Sequence, residues 1–349
     1  MKHRMLFAAL LVTAVLGSGA VPATAAIVKV NGYLEYRKTA YLIVDGQRIA
    51  TTSRTRFKGS GAAKSIATIP IGYEVKAEGT RQADGTLTAT KLEAKANGMA
   101  TYEGDVMAGT NQAEQAWVKA GKIVEQGEDG KEVSMGNLKS KGPEVDRARR
   151  IVDRILPSYI DPKKVRVYVV DNKEWNAMAM ANYSIYVFSG LMKDMDDDEL
   201  AIVLGHEIAH ASYEHSRRQA VKGLWSGIAG TAAAIGASQF DSKVARDAAT
   251  VATGLSVSAF NNNYSRDYED QADRVGLRYV YEAGYDYKKA PGLWRKFAAK
   301  YGDRSEVENF FFGNHSLSTK RAAALEKEIK NNYHDPAKDP PTKSRVAAR

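Results

Sequence analysis

The sequence predicts an α+β protein of two domains, a small N-terminal β-barrel of OB-like pattern followed by a mainly helical domain. Three observations carry this reading. Residues 27–98 hold short segments rich in Val, Ile, Leu and Tyr, separated by the hairpin dipeptides Asp45-Gly46 and Asp84-Gly85. From Pro143 onward apolar residues recur at helical spacing. At 349 residues, 44% hydrophobic and 26% charged, the chain is about twice the common domain size and has an ordinary globular composition. Collagen-like, disordered and polytopic membrane classes are thereby excluded.

In chain order, residues 1–25 read as an export signal. Lys2 and Arg4 give the positive start, Met5 to Val15 the apolar run, and Ala23-Thr24-Ala25 a small-residue cleavage site. With no cysteine in the chain, a lipoprotein anchor, disulfides, Cys-ligated zinc and a cysteine nucleophile are all excluded. The expectation is a periplasmic or secreted protein without a transmembrane span in the mature chain.

Residues 26–110 are assigned to the β-barrel. Ile27 to Tyr36 and Tyr41 to Val44 are strands, and YEVKAEGTRQADGTLTATKLE, residues 73–93, is similar to the strand-turn-strand of an OB-like barrel. Residues 27–100 carry 12 Lys or Arg against 6 Asp or Glu. On an exported protein this excess points to an anionic envelope surface. Nucleic acid is not expected, because the basic residues are not interleaved with aromatics.

Residues 111–142 are expected to supply one helix, Gln112 to Glu125, and a glycine- and charge-rich linker, which would leave the barrel separable from the second core. Residues 143–334 form that core. Pro143 opens a helix, and Val165 to Val170 and Ser184 to Phe188 are strands. Asp196 and Glu199 cap a helix running to at least His215. The Gly/Ala-rich residues 223–240 are expected to pair with 248–260 as a helical hairpin, and Ser265 to cap a helix from Arg266 to Glu282. Residues 335–349 read as an unstructured tail.

The sharpest chemical signal is His206-Glu207-Ile208-Ala209-His210. Helical residues four apart differ by about 40° in azimuth, so His206 and His210 project together and can bind one ion. Glu207 lies about 100° round the helix and reaches the water such an ion would polarise. Catalytic zinc takes three protein ligands and an open position. Glu269 is the nearest good third candidate; it shares a helix face with Asp273, so that one can ligate while the other accepts a hydrogen bond from a ligand imidazole. His215 falls about 180° from His206 on a continued helix and is not a ligand candidate.

Together these residues resemble the zinc endopeptidase family, metallopeptidase family 48, that contains the CAAX prenyl protease and the heat-shock peptidase HtpX. The likeness spans about residues 142–332, through DELAIVLGHEIAHASYEHS, SRDYEDQADRVGLRYVYEAGYD, and His315 with Arg321 six residues later. It implies a gluzincin-type fold with one Zn2+ per chain on His206, His210 and Glu269. Glu207 is implied as general base and Asp273 as the aspartate orienting a ligand. His315 is implied as the oxyanion donor, with Arg321 as its companion; Ser316 stands where the family has proline. Asn176, Ala177 and Ala179, with the strand Ser184 to Phe188, resemble the substrate-side edge strand.

The reaction implied is hydrolysis of unfolded or misassembled protein substrates in envelope quality control. The rival reading is a non-catalytic envelope binding protein or chaperone with a vestigial zinc site, against which the intact Glu207 argues.

Overall fold

The computed structural model describes residues 26–38, 41–95, 100–126, 132–157, 160–215, 218, 264–302 and 319–333. The residues expected to form an export signal, a Gly/Ala-rich helical hairpin and an unstructured tail, and His315 with Ser316, lie outside the described residues.

The N-terminal unit is built from β1 (Ile27–Arg37), β2 (Tyr41–Val44), β3 (Gln47–Ala50), β4 (Arg56–Gly59), β5 (Glu74–Arg81) and β6 (Leu87–Lys95). They pair in the order β3-β2-β1-β5-β6-β4, and β3 also pairs in parallel with β6 through Ile49 and Ala50. Alternation puts Val30, Leu34, Leu42, Val44, Ile49, Val75, Ala77, Leu87 and Leu92 into one buried cluster. The β2–β3 turn has Asp45 at φ 49° and Gly46 at φ 70°, the two positive values that a two-residue hairpin of matching twist requires.

A helix, α1 (Ala100–Ala120), follows, then β7 (Lys122–Gln126) and β8 (Glu132–Lys139). The expected helix over Gln112 to Glu125 therefore starts earlier and stops sooner. Gly104, Gly109 and Thr110, poor helix formers, disguise its first half. Gly121 at φ 67° ends it in the left-handed conformation. Nor are the described residues 132–139 of the expected linker a loop. β7 and β8 form a hairpin that joins the second sheet, of order β10-β11-β9-β8-β7, with β9 (Arg166–Asp171), β10 (Ala177–Ala179) and β11 (Ser184–Phe188). Only β9–β11 is parallel there, and β10 and β7 are the two edges.

The described α-helices after α1 are α2 (Pro143–Ile155), α3 (Ser189–Asp194), α4 (Asp197–Ser212), α5 (Arg266–Glu282), α6 (Ala290–Tyr301) and α7 (Thr319–Asn332). Of these α2, α3 and α4 pack on the second sheet, α5 packs on α4, and α7 packs on α5 and α6. Pro143 at the first turn of α2 and buried Val145, Ala148, Val152 and Ile155 agree with the helical spacing read from sequence. Among the described residues no helix is long and apolar enough to cross a membrane.

The β-rich unit is not a free-standing appendage. Its β1 and Asp-Gly turn lie on α5: Glu35 pairs with Arg274 at 2.9 Å, the Tyr36 hydroxyl donates to Glu282 at 2.9 Å, and the Arg278 guanidinium stacks 3.5 Å from the Tyr36 ring centre. The expectation of a separable barrel did not include these contacts: the intervening described residues fold into the second sheet, and β1 docks on a helix more than 200 residues away in sequence.

Candidate active site

Helix α4 carries the HExxH residues and starts where the sequence places it. The Asp196 side chain accepts from the Glu199 N–H and the Glu199 side chain from the Asp196 N–H, a reciprocal cap in a turn already rich in acid. The helix ends at Ser212, not beyond His215. After the cap at Tyr213, Glu214 takes φ 55° and turns His215 back under the helix, where it is fully buried.

Helix α5 runs against α4 at close range because Gly205 faces Gly276. A Cβ built on Gly276 would stand 2.6 Å from the His206 backbone nitrogen. This contact brings Glu269 and Asp273 up to His206 and His210. The Nε2 atoms of the two histidines are 3.0 Å apart, and the Glu269 carboxylate lies 3.5 Å from His206 Nε2 and 3.4 Å from His210 Nε2. All three side chains are buried, and they alone form a cluster of three such donors among the described residues.

The set fits a metal ion. Ligand atoms about 2.0–2.1 Å from a tetrahedral ion are about 3.3 Å from one another, and the three separations bracket that value. Two imidazoles and a carboxylate are also a donor set suited to a borderline-soft divalent ion.

Around the donors, each ring is held from behind. His206 Nδ1 lies 2.9 Å from Asp273 Oδ1, and Asp273 takes a two-pronged grip from Arg321 at 2.8 and 2.6 Å. Arg321 also reaches Glu269 at 3.0 Å and stacks 3.8 Å above Trp294. Burial works against the Asp273 carboxylate, but the charge and hydrogen bonds of Arg321, with His206, hold its pKa below the usual value. For His206, burial and the Arg321 charge oppose a proton, yet hydrogen bonds to Asp273 and Glu269 carry its pKa up to about 9. A cation binding there must displace that proton. His210 stacks on Tyr264 at 4.1 Å, and its Nδ1 lies 2.8 Å from His215 Nδ1. Burial, then the Arg218 charge, holds His215 down at about 3, so its ring is neutral.

Glu207 points to the edge strand. The Ala179 N–H donates to Glu207 Oε2 at 3.1 Å, and Asn176 accepts from the Phe188 N–H at 2.9 Å, fixing the start of β10. Of the residues singled out in the sequence, the structure thus gathers His206, Glu207, His210, Glu269, Asp273, Arg321, Asn176, Ala177 and Ala179 in one region. His315 lies outside the described residues. Sequence reasoning missed His215, Trp294, Tyr264 and the glycine pair. For His215 it extrapolated 100° per residue beyond the helix end; the glycines, one per helix, give no signal until the helices are paired.

Residues 144–329, just over half of the chain, match the model of peptidase family M48, and residues 31–93 match a domain of unknown function, DUF5666. Metalloprotease YcaL of Escherichia coli K12 is 30% identical over 200 residues, which are 57% of this chain and 76% of that protein. The mitochondrial metalloendopeptidase OMA1 of Bos taurus is 31% identical over 144 residues, 37% of this chain and 25% of its own length. A putative beta-barrel assembly-enhancing protease of Vibrio cholerae is 28% identical over 168 residues, 43% of this chain and 34% of its own. The chain therefore spans three quarters of the first relative but no more than about a third of the other two. The extent of the family match, together with a buried His-His-Glu cluster on two apposed helices, establishes that the chain belongs to the M48 family of metallopeptidases.

Proposed function

We propose that this protein is an exported zinc-dependent endopeptidase acting on unfolded or misassembled proteins of the cell envelope. The observation that carries the reading is Glu207, which follows the cluster residue His206 on α4 and is buried and hydrogen-bonded to the edge strand β10.

His206, His210 and Glu269 would hold the zinc, one per chain. When bound, zinc acidifies a water and polarises the peptide carbonyl. The rest of the work falls to the chain's own residues. The Glu207 carboxylate takes the water's proton as the water attacks and passes it to the leaving amine. The Ala179 N–H keeps that carboxylate turned to the substrate side. An extended peptide would add to the edge strand β10 beside Asn176 and Ala177 by main-chain hydrogen bonds, which accept many sequences. His315 would stabilise the oxyanion, with Arg321 as its companion.

Export is supported by the charge, apolar run and cleavage site of residues 1–25. The envelope role is supported by the names of relatives such as the assembly-enhancing protease. The basic excess of residues 27–100 favours an anionic surface as docking partner, and the β3–β6 pairing favours an OB-like barrel as its scaffold. The test is cleavage of unfolded casein by the mature chain. Cleavage should stop with a zinc chelator and return with added Zn2+; cleavage indifferent to the chelator would refute a metal-dependent peptidase.

A further inference from the structure

The β-rich N-terminal unit touches the peptidase where its metal donors are held. Glu35 on β1 and Asp45 in the β2–β3 turn both accept from Gln271 Nε2, at 3.1 Å each. Gln271 sits on α5 between Glu269 and Asp273. Its Oε1 lies 3.1 Å from His215 Nε2, and His215 Nδ1 lies 2.8 Å from His210 Nδ1. Glu35, Gln271 and His215 are 5%, 2% and 0% exposed, so water does not compete for these bonds.

The chain has only one consistent direction. The carboxylate of Glu35, also held by Arg274 and the Gly46 N–H, is an acceptor only. Gln271 must therefore turn its NH2 to Glu35 and its oxygen to His215, an orientation that Arg218 reinforces by donating to the same oxygen at 3.2 Å. His215 then donates from Nε2, and in an imidazole with one ring proton this leaves Nδ1 as the acceptor. That leaves His210 to donate from Nδ1, which places the lone pair of its Nε2 toward His206 and Glu269. The other tautomer of His210 would point an N–H into the cluster and could not ligate there.

We propose that the N-terminal unit is a working part of the metal centre, its Glu35 and Asp45 fixing the tautomer and ring orientation of His210 through Gln271 and His215. Gln271 and His215 are positioning residues, and the β-rich unit is coupled to metal affinity. Anything that lifts this unit from α5 loosens the metal, and so the docking of the basic unit on a surface can be felt at the active site. This inference rests on the metallopeptidase reading above.

The test uses the full mature chain and three variants, with Zn2+ affinity measured by chelator competition beside kcat on casein. Gln271→Met keeps length and volume but breaks the chain of bonds. Tyr36→Phe removes a hydrogen bond of the same interface, to Glu282, without touching that chain. His206→Ala removes a donor outright. Gln271→Met should weaken Zn2+ binding about 10- to 100-fold and lower kcat, the usual effect of losing a ligand's outer partner. Tyr36→Phe should bind as wild type does. Equal affinity in Gln271→Met and wild type, or an equal loss in Tyr36→Phe, overturns the proposal. If His206→Ala also leaves affinity unchanged, the metal site itself is misassigned, which separates failure of the functional reading from failure of the inference. Should Gln271→Met not fold, the wild type decides the matter by ring 15N shifts in the Zn2+-loaded chain. Protons on His210 Nδ1 and His215 Nε2 are expected, and a proton on His215 Nδ1 overturns the assignment.

Discussion

Replacing Gly276 by alanine probes the contact that assembles the metal donors. In an isolated helix the change would stabilise by about 1 kcal/mol, because alanine is the better helix former. Here the new methyl would lie 2.6 Å from the His206 nitrogen, 2.7 Å from the Gly205 carbonyl carbon and 2.8 Å from its oxygen. Ordinary contact begins near 3.4 Å, and the obstacle is backbone rather than a flexible side chain. Helices α4 and α5 must therefore part by about 0.8 Å, several times the roughly 0.2 Å tolerance of a metal–ligand bond. Overpacking of this kind costs about 1–3 kcal/mol, which in a domain of this size lowers Tm by about 2–4 °C per kcal/mol. Thermal unfolding and chelator competition on Gly276→Ala should thus show a lower Tm and a Zn2+ affinity reduced by at least about tenfold. A raised Tm with wild-type affinity would show that intrinsic propensity decides the sign and that the helices are not held apart by this contact.

Three further outcomes follow from the same geometry. Asp273→Ala should weaken Zn2+ by about 10- to 100-fold, because His206 loses the carboxylate behind Nδ1 and Arg321 is left without its two-pronged partner; unchanged affinity by chelator competition would remove Asp273 from this role. Glu269→Ala should abolish stoichiometric metal, and wild-type metal content by elemental analysis would mean that the third donor is another group. Glu114, which ties α1 to the second sheet, accepts from Arg166, Tyr168 and Asn182, and although burial opposes its charge these partners hold its pKa below 4.5. A depressed folded-state pKa contributes stability that is present above about pH 4.5 and is lost as pH falls through the folded value. Glu114→Gln should therefore cost about 1.5–3 kcal/mol at pH 7 and progressively less below pH 4 in denaturant titrations; a difference independent of pH would contradict the assignment.

The parts that local chemistry dictates were legible in the sequence. Asp196 and Glu199 marked the start of α4, the HExxH spacing placed two imidazoles on one face, and Asp45-Gly46 specified a two-residue hairpin. What was not legible depends on groups remote in sequence. A glutamate at φ 55° ends α4 early with no glycine to announce it, so His215 was read on the wrong side of the helix. Glu132–Lys139 lies within a glycine- and charge-rich run, 127–142, that passes for a linker, and is a strand because β7 and β9 flank it. Most of all, nothing in the alternation of β1 reveals that Glu35 is spent on Arg274 and Gln271 rather than on solvent. A buried carboxylate on a strand of a basic domain is a pairing signal only once its partner is known.

The central claim, that Glu207 performs the proton transfers beside a metal held by His206, His210 and Glu269, is tested most directly by Glu207→Gln. The amide can still accept from the Ala179 N–H but cannot take a proton from water, and it removes no metal donor. Metal content and casein cleavage should be measured on the same preparation. The account predicts one Zn2+ per chain with cleavage below about a hundredth of wild type, a reduction of the size general-base removal brings. Activity above a tenth of wild type with full metal, or loss of the metal itself, would contradict it.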